Sequence, residues 1–216
     1  MRFAIIIDCT SVLAVDCTSN LVVDSTSLLV VDCRSLLIDE CRPLLNSDCR
    51  LLLIGCGPLL VMYCMPLLVS DCTSLLDADC RSLVAIDCRS LVVVDGTLFL
   101  ASDCTSLLDA DCRSFLVVDC KSLLVGDCMS FIDTDCTSFL VIDCGPLLVI
   151  DHMPFLVSDC TSLLDADCRS LLVVGCRSLV VVDCMSFLDT DCTSLLDIDC
   201  GPLLVIDCML LIYIYK

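Results

Sequence analysis

The chain predicts an all-β fold, an octapeptide-repeat β-solenoid-like stack with about two octads per coil, and three observations carry that reading. A unit of the form Asp-Cys-x-Ser-Leu-Leu-Val-Val recurs from Asp8 almost to the C-terminus, in 26 near-copies. Eight is a whole multiple of the strand period of two, so an extended chain returns each copy to the same face. Eight helical residues would turn about 800° and rotate each copy by about 80° from the last. Finally, runs of Val, Ile, Leu and Phe alternate with Asp-Cys-Thr-Ser or Cys-Gly-Pro clusters that read as turns.

Residues 1–7 form a short apolar lead, and residues 8–216 a single repeat array with no linker or shift of composition. Octads start at Asp8, Asp16, Asp24, Asp32, Glu40 and Asp48; a one-residue deletion then brings the next start to Gly55, and strict eights follow to Asp207. Position one is Asp in every copy except those of Glu40, Gly55, Tyr63 and Gly175. Position two is Cys except at Ser25, Gly96 and His152. Gly57-Pro58, Gly145-Pro146 and Gly201-Pro202 fall at positions three and four, which puts a corner there. The Asp at position one can accept from nearby backbone amides in an Asx-turn and fix that corner. One octad is too short to close a coil around packed side chains, given about 3.3 Å of rise per residue and about 10 Å between packed sheets. Two octads suffice, and stacked coils share one core. A meander of short antiparallel strands is the alternative architecture.

Charge separates the faces, because a buried unpaired charge is costly. It occurs at position one, at position three (Arg34, Arg81, Arg113, Lys121, Arg169) and at position seven (Asp77, Asp109, Asp133, Asp165, Asp189, Asp197). All are odd. The even positions are therefore expected inside, with Leu at position six as the bulkiest layer, Cys at its corner, and Asp39 the charged exception. The odd face is expected outside. Position five, where Leu is often Phe (Phe115, Phe131, Phe139, Phe155, Phe187), then becomes an exposed apolar stripe suited to self-association.

Apolar residues make up 58 % of the chain, yet the formal charge is −19. That hydropathy excludes disorder by low hydrophobicity. Eleven thinly spread basic residues argue against nucleic acid. An acid at nearly every eighth position puts two or three Asp in any window of about 20 residues, each opposing insertion by about 2.5–3.5 kcal/mol, so no transmembrane helix is expected. Asp8 likewise cuts the apolar run at Phe3–Ile7 below the length of a signal sequence.

The 23 cysteines lie eight or sixteen apart, and once seven (Cys49 to Cys56), without a Cys-x-x-Cys pair. Zinc sites usually use such close pairs, so no metal ligand is assigned, and the cysteines read as a ladder of buried free thiols. The inventory supports no enzyme: one His (His152), no phosphate loop, and Ser residues without a second base. His152 reads as a substitution at one corner of one coil. The Thr residues at position three (Thr73, Thr105, Thr137, Thr161, Thr193) are interrupted by Arg and Met and form no regular array.

These observations imply a non-enzymatic structural or self-associating β-repeat protein with no cofactor. One alternative is a cation-binding module: stacked Asp columns resemble, in principle, calcium-binding β-roll repeats, although the glycine-rich nonads of those repeats are missing here. The other is the translation product of a drifting tandem DNA repeat without selected function. Residues 103–150 and 159–206 align at an offset of 56 with 40 of 48 positions identical, and position three exchanges residues related by single-base changes.

Overall fold

The computed structural model describes residues 3–15, 18–32, 35–41 and 44–214. Asp16 and Arg34 lie outside them, as do Met1 and Arg2 of the N-terminal lead. The chain is all-β, 84 % strand, and forms a parallel β-solenoid. It divides into two compact units, Met1–Asp109 and Ala110–Lys216.

In the first unit every pairing is parallel and nearly every one joins residue i to residue i + 16. Phe3–Cys9 lies beside Ser19–Ser25, with Phe3 opposite Ser19. Val12–Val15 lies beside Leu28–Val31, and further along Ser90 sits between Ser74 and Ser106. The coil is therefore two octads. The one-residue deletion is absorbed within a single coil: Leu44 faces Leu59 and Cys49 faces Cys64, then the register shifts and Leu51 faces Leu67. In the second unit Cys176 faces Cys192, which faces Cys208, and Ser170 faces Ser186. Since all these ladders are parallel, the antiparallel meander is excluded. Strand covers Gly96–Val182, its extended backbone broken at the corners by left-handed position-one residues. No helix among the described residues is long and apolar enough to cross a membrane.

The corners are built by three side chains. Position one takes a left-handed backbone at every copy of one corner from Gly55 to Asp199, with φ between 53° and 64°, and at several copies of the other corner, among them Tyr63, Asp95, Asp143, Asp159, Gly175 and Asp207. Asp is among the few residues that visit this region without prohibitive strain, which accounts for its recurrence. Position four supplies Ser, whose hydroxyl donates to the position-three carbonyl of the coil before it: Ser106 to Arg89 at 3.3 Å, Ser138 to Lys121 at 3.3 Å, Ser194 to Arg177 at 3.3 Å. At position two the Cys thiol donates to a carbonyl two residues away, either backward (Cys88 to Ile86, 3.7 Å) or forward (Cys128 to Ser130, 3.2 Å). A corner leaves backbone oxygens out of the ladder, and these small donors satisfy them.

The inward set is positions two, five and seven, which corrects the expected face assignment. Leu at position six points outward: Leu76 is 43 % exposed and Leu164 44 %. Position eight is half-buried or exposed, and Asp39 is simply exposed. Phe115, Phe131, Phe139, Phe155 and Phe187 are buried, so the proposed association stripe at position five does not exist. Four of those rings stack, at 5.0 Å for Phe115–Phe131, 5.1 Å for Phe131–Phe139 and 4.6 Å for Phe139–Phe155. Asp77, Asp109, Asp133, Asp165, Asp189 and Asp197 are buried as well. The cause is geometric. Alternation holds along the straight segment from five to eight, but the corner from one to four turns the chain so that both two and five face the core.

This assignment gives opposite expectations for two truncations. Phe131→Ala should lower unfolding free energy by about 3–5 kcal/mol. Leu164→Ala should change it by no more than about 0.5 kcal/mol. Equilibrium denaturation of the two variants checks both, and equal losses would contradict the faces described.

Candidate functional site

The interior carries two kinds of polar side chain in rows. The first is the cysteine row at position two: among the cysteines whose side chains are described none is in a disulfide, and all are buried except Cys9 and Cys208, which are partly exposed. Successive coils bring sulfurs together, with Cys160 and Cys176 at 2.8 Å and Cys168 and Cys184 at 2.8 Å. Each contact splits its pair: the donating thiols of Cys160 and Cys168 are pushed up, whereas the hydrogen bond they give draws the accepting Cys176 and Cys184 down. Contact with Cys184 holds the Cys168 thiol above its ordinary value, with burial and the Asp165 charge adding to it. Burial, then Asp197, pushes the Cys200 thiol up to about 12. Protonated, uncharged sulfur is the form a low-dielectric core favours.

The second row is the acid at position seven. It occurs only in the sequence Asp-x-Asp-Cys, as in Asp77-Ala78-Asp79-Cys80 and Asp165-Ala166-Asp167-Cys168. Each such Asp points into the core at the same corner as the Cys three residues on. Both carboxylate oxygens of Asp77, Asp165 and Asp197 are buried without a well-formed hydrogen bond, the neighbouring thiols and, at Asp77 and Asp165, amides lying only in looser contact. Burial pushes the Asp77 carboxyl up, and the Cys80 thiol with the amides of Asp79 and Ala78 draws it only part of the way back. Burial raises Asp165 likewise, against the opposing pull of Cys168 and His152.

One place breaks both rows. His152 replaces the thiol directly above Cys136, 152 − 136 = 16 residues on, and its Nε2 lies 2.9 Å from Asp133 Oδ2, with both side chains fully buried. Its ring packs, tilted, beside the stacked pair Phe139–Phe155, with centroids 5.7 and 5.8 Å away. Asp133, Cys136 and His152 each offer one ligand atom, and these atoms all lie within 4.8 Å of one another. No other described group of three His, Cys, Asp or Glu side chains converges in this way. In particular, the position-one aspartates of the calcium-module reading do not gather into such a set. Reasoning from the sequence left His152 without a role and Asp133 on the surface. The coil length joins them, since the sixteen-residue register stacks His152 on Cys136, whose own octad begins two residues after Asp133.

The outer surface of each unit carries an apolar groove along positions four to six. In the second unit it has a volume of about 690 Å³ and is lined by residues including Phe139, Leu140, Leu156, Leu172 and Leu188. In the first unit it is about 460 Å³, with Leu13, Leu29, Leu45 and Leu60 in the corresponding places. Neither lining contains a charged residue. No protein-family model, curated protein or solved structure matches the chain.

Two outcomes follow from the interior rows. Under native conditions an alkylating reagent should modify Cys9 and Cys208 ahead of the buried described thiols, which react only on unfolding; intact mass with and without denaturant reads this. Asp77 provides a pH signature. Its carboxyl binds a proton more tightly in the folded chain than in the unfolded one, so stability falls as pH rises from 3.8 through the raised folded value. Asp77→Val should therefore stabilise the chain by about 1–3 kcal/mol near pH 7 and by progressively less as the pH approaches 3.8. A gain independent of pH would show that Asp77 is not ionised against its burial.

Proposed function

We propose that the protein is a non-enzymatic structural β-solenoid that associates with further copies of itself through the grooves at positions four to six. The observation that carries this reading is the same uncharged apolar groove at the same octad positions in both units. A second copy is the occupant whose spacing fits. Its own position-six side chains project from parallel strands about 4.8 Å apart, the interval at which the groove repeats. The groove lacks charge although the chain carries −19. Acid is concentrated at the corners, where it limits pairing to the faces between them and keeps the strand-rich chain from indiscriminate aggregation. The same acid disfavours a nucleic-acid partner. A non-enzymatic role is supported by the disposition of the potential nucleophiles. The position-four hydroxyls that donate to corner carbonyls are engaged in the fold, and His152 is sealed inside.

Sedimentation velocity of the full chain across concentration tests the proposal. Assembly should be present, and Leu156→Glu with Leu172→Glu should weaken it at least about tenfold by setting two carboxylates in the contact. Circular dichroism should not change, because both side chains already point outward. Leu164→Glu, outside the groove lining, should leave assembly as it is. Association unaffected by the double variant would overturn the groove as the interface.

A further inference from the structure

We propose that Asp133, Cys136 and His152 form a buried zinc site spanning two consecutive coils. The donor set is the first argument. One carboxylate oxygen, one sulfur and one imidazole nitrogen are the three ligand types that Zn²⁺ takes, with bonds of about 2.0–2.3 Å. Tetrahedral bonds of that length hold ligand atoms roughly 3.3–3.7 Å apart. The Asp133–His152 separation of 2.9 Å and the 4.8 Å bound on the whole set require movements of no more than about an ångström.

Charge and hydrogen bonding supply the second argument. The core here encloses a carboxylate whose Oδ1 has no partner. The side chains of Asp133 and His152 are both fully buried. On binding, Zn²⁺ replaces the thiol proton of Cys136, which leaves to solvent, and accepts the Nε2 lone pair of His152 while the imidazole proton resides on Nδ1. Zn²⁺, thiolate and carboxylate then sum to zero, so the metal-bound site places no net charge in the core. Asp133 Oδ1 is free to complete the coordination. The stacked pair Phe139–Phe155 packs against one side of the His152 ring and limits its rotation. The site is closed, with exposures of 0 % for Asp133 and 3 % for His152. Burial rather than a full set of four residues closes the site, and that fits structural metal acquired during folding.

The repeat contains its own comparison. A shift of 56 residues carries Asp133 to Asp189, Cys136 to Cys192 and His152 to Cys208. In that copy Asp189 Oδ1 accepts from the Asp191 amide at 3.3 Å, Cys192 contacts Cys208 at 2.7 Å, and the three side chains do not converge as ligands. The exchange of one thiol for imidazole is what separates the two corners.

The test uses the full chain refolded with reductant and Zn²⁺, freed of loose metal on a chelating resin, beside Asp133→Val. Valine is the residue of the neighbouring copies at position seven, as at Val117 and Val149, so this variant keeps the fold. Elemental analysis should find one equivalent more zinc in the wild-type chain. Competition with a chelator should show affinity more than about 100-fold weaker in Asp133→Val, beyond the loss expected from removing an outer-shell partner. Loading with Co²⁺ gives a second readout, because a tetrahedral site with one thiolate produces visible ligand-field and sulfur-to-metal charge-transfer bands that the variant should lack. Equal zinc content together with identical Co²⁺ spectra would overturn the proposal and leave a buried Asp–His pair alone.

Discussion

A coil of sixteen residues closes only if the chain turns sharply at position one, and in one corner of every coil from Gly55 to Asp199 it does so through a left-handed backbone. For an L-residue with a Cβ this region carries strain, relieved least badly by Gly, Asn and Asp. Across both corners the left-handed residues are Asp almost throughout, with Gly at Gly55 and Gly175 and the exceptions Glu40 and Tyr63. Gly175 shows how close the coils run there: a Cβ on it would lie 2.6 Å from Asp159 Oδ1 of the adjoining coil. Once that turn is set, the other recurrent residues follow. Ser at position four and Cys at position two supply donors to the carbonyls that the turn removes from the ladder, and Leu or Phe at position five fills the space between the two halves of the coil.

Much of this was legible in the residues, and the part that was not has a definite cause. An eight-residue period implies strands, and the length needed to enclose side chains implies two octads, as the pairings of Phe3 with Ser19 and Cys176 with Cys192 show. Cys inside and Asp at the corner were equally readable. Strict alternation misled at positions five to seven because it treats the octad as straight. With the corner occupying half of each unit, Phe131 and Leu67 turn in while Leu68 and Leu164 turn out. The charge argument failed at the same positions. It took burial of Asp133 or Asp165 as too costly to recur, yet the array buries six such acids.

A protein that repeatedly accepts an unfavourable side chain in its core has compensation to spare elsewhere. In a solenoid that compensation is additive: each coil contributes its own ladder and its own apolar contacts to the next, so a weak coil is held by its neighbours. Val93 illustrates the arrangement, lying between Asp77 and Asp109 in its column. Acids in one column are thus separated by an apolar rung, which keeps their charges about two strand spacings, roughly 9.6 Å, apart. Protonation through raised pKa values at Asp77 and Asp165 reduces the burden further.

The internal duplication shows where constraint resides in such a molecule. Within the second unit, Phe131 and Phe187 are 187 − 131 = 56 residues apart, seven octads, so the copied octad occupies the opposite half of its coil. Both rings are nonetheless buried, at 1 % and 3 % exposure, and so are Asp133 and its copy Asp189. The two halves of a coil are therefore close to equivalent containers, related by a pseudo-twofold axis along the stack. An octad can be moved, copied or shifted by half a coil without loss of its inward set. The fold is specified within the octad, whereas any chemistry must be specified between octads, by what stacks sixteen residues away. Asp133 and Cys136 were copied intact to Asp189 and Cys192, but the partner above changed from His152 to Cys208. Chemical individuality in this array accordingly depends on single substitutions at stacked positions, and His152 is the one that brings three different donor atoms together.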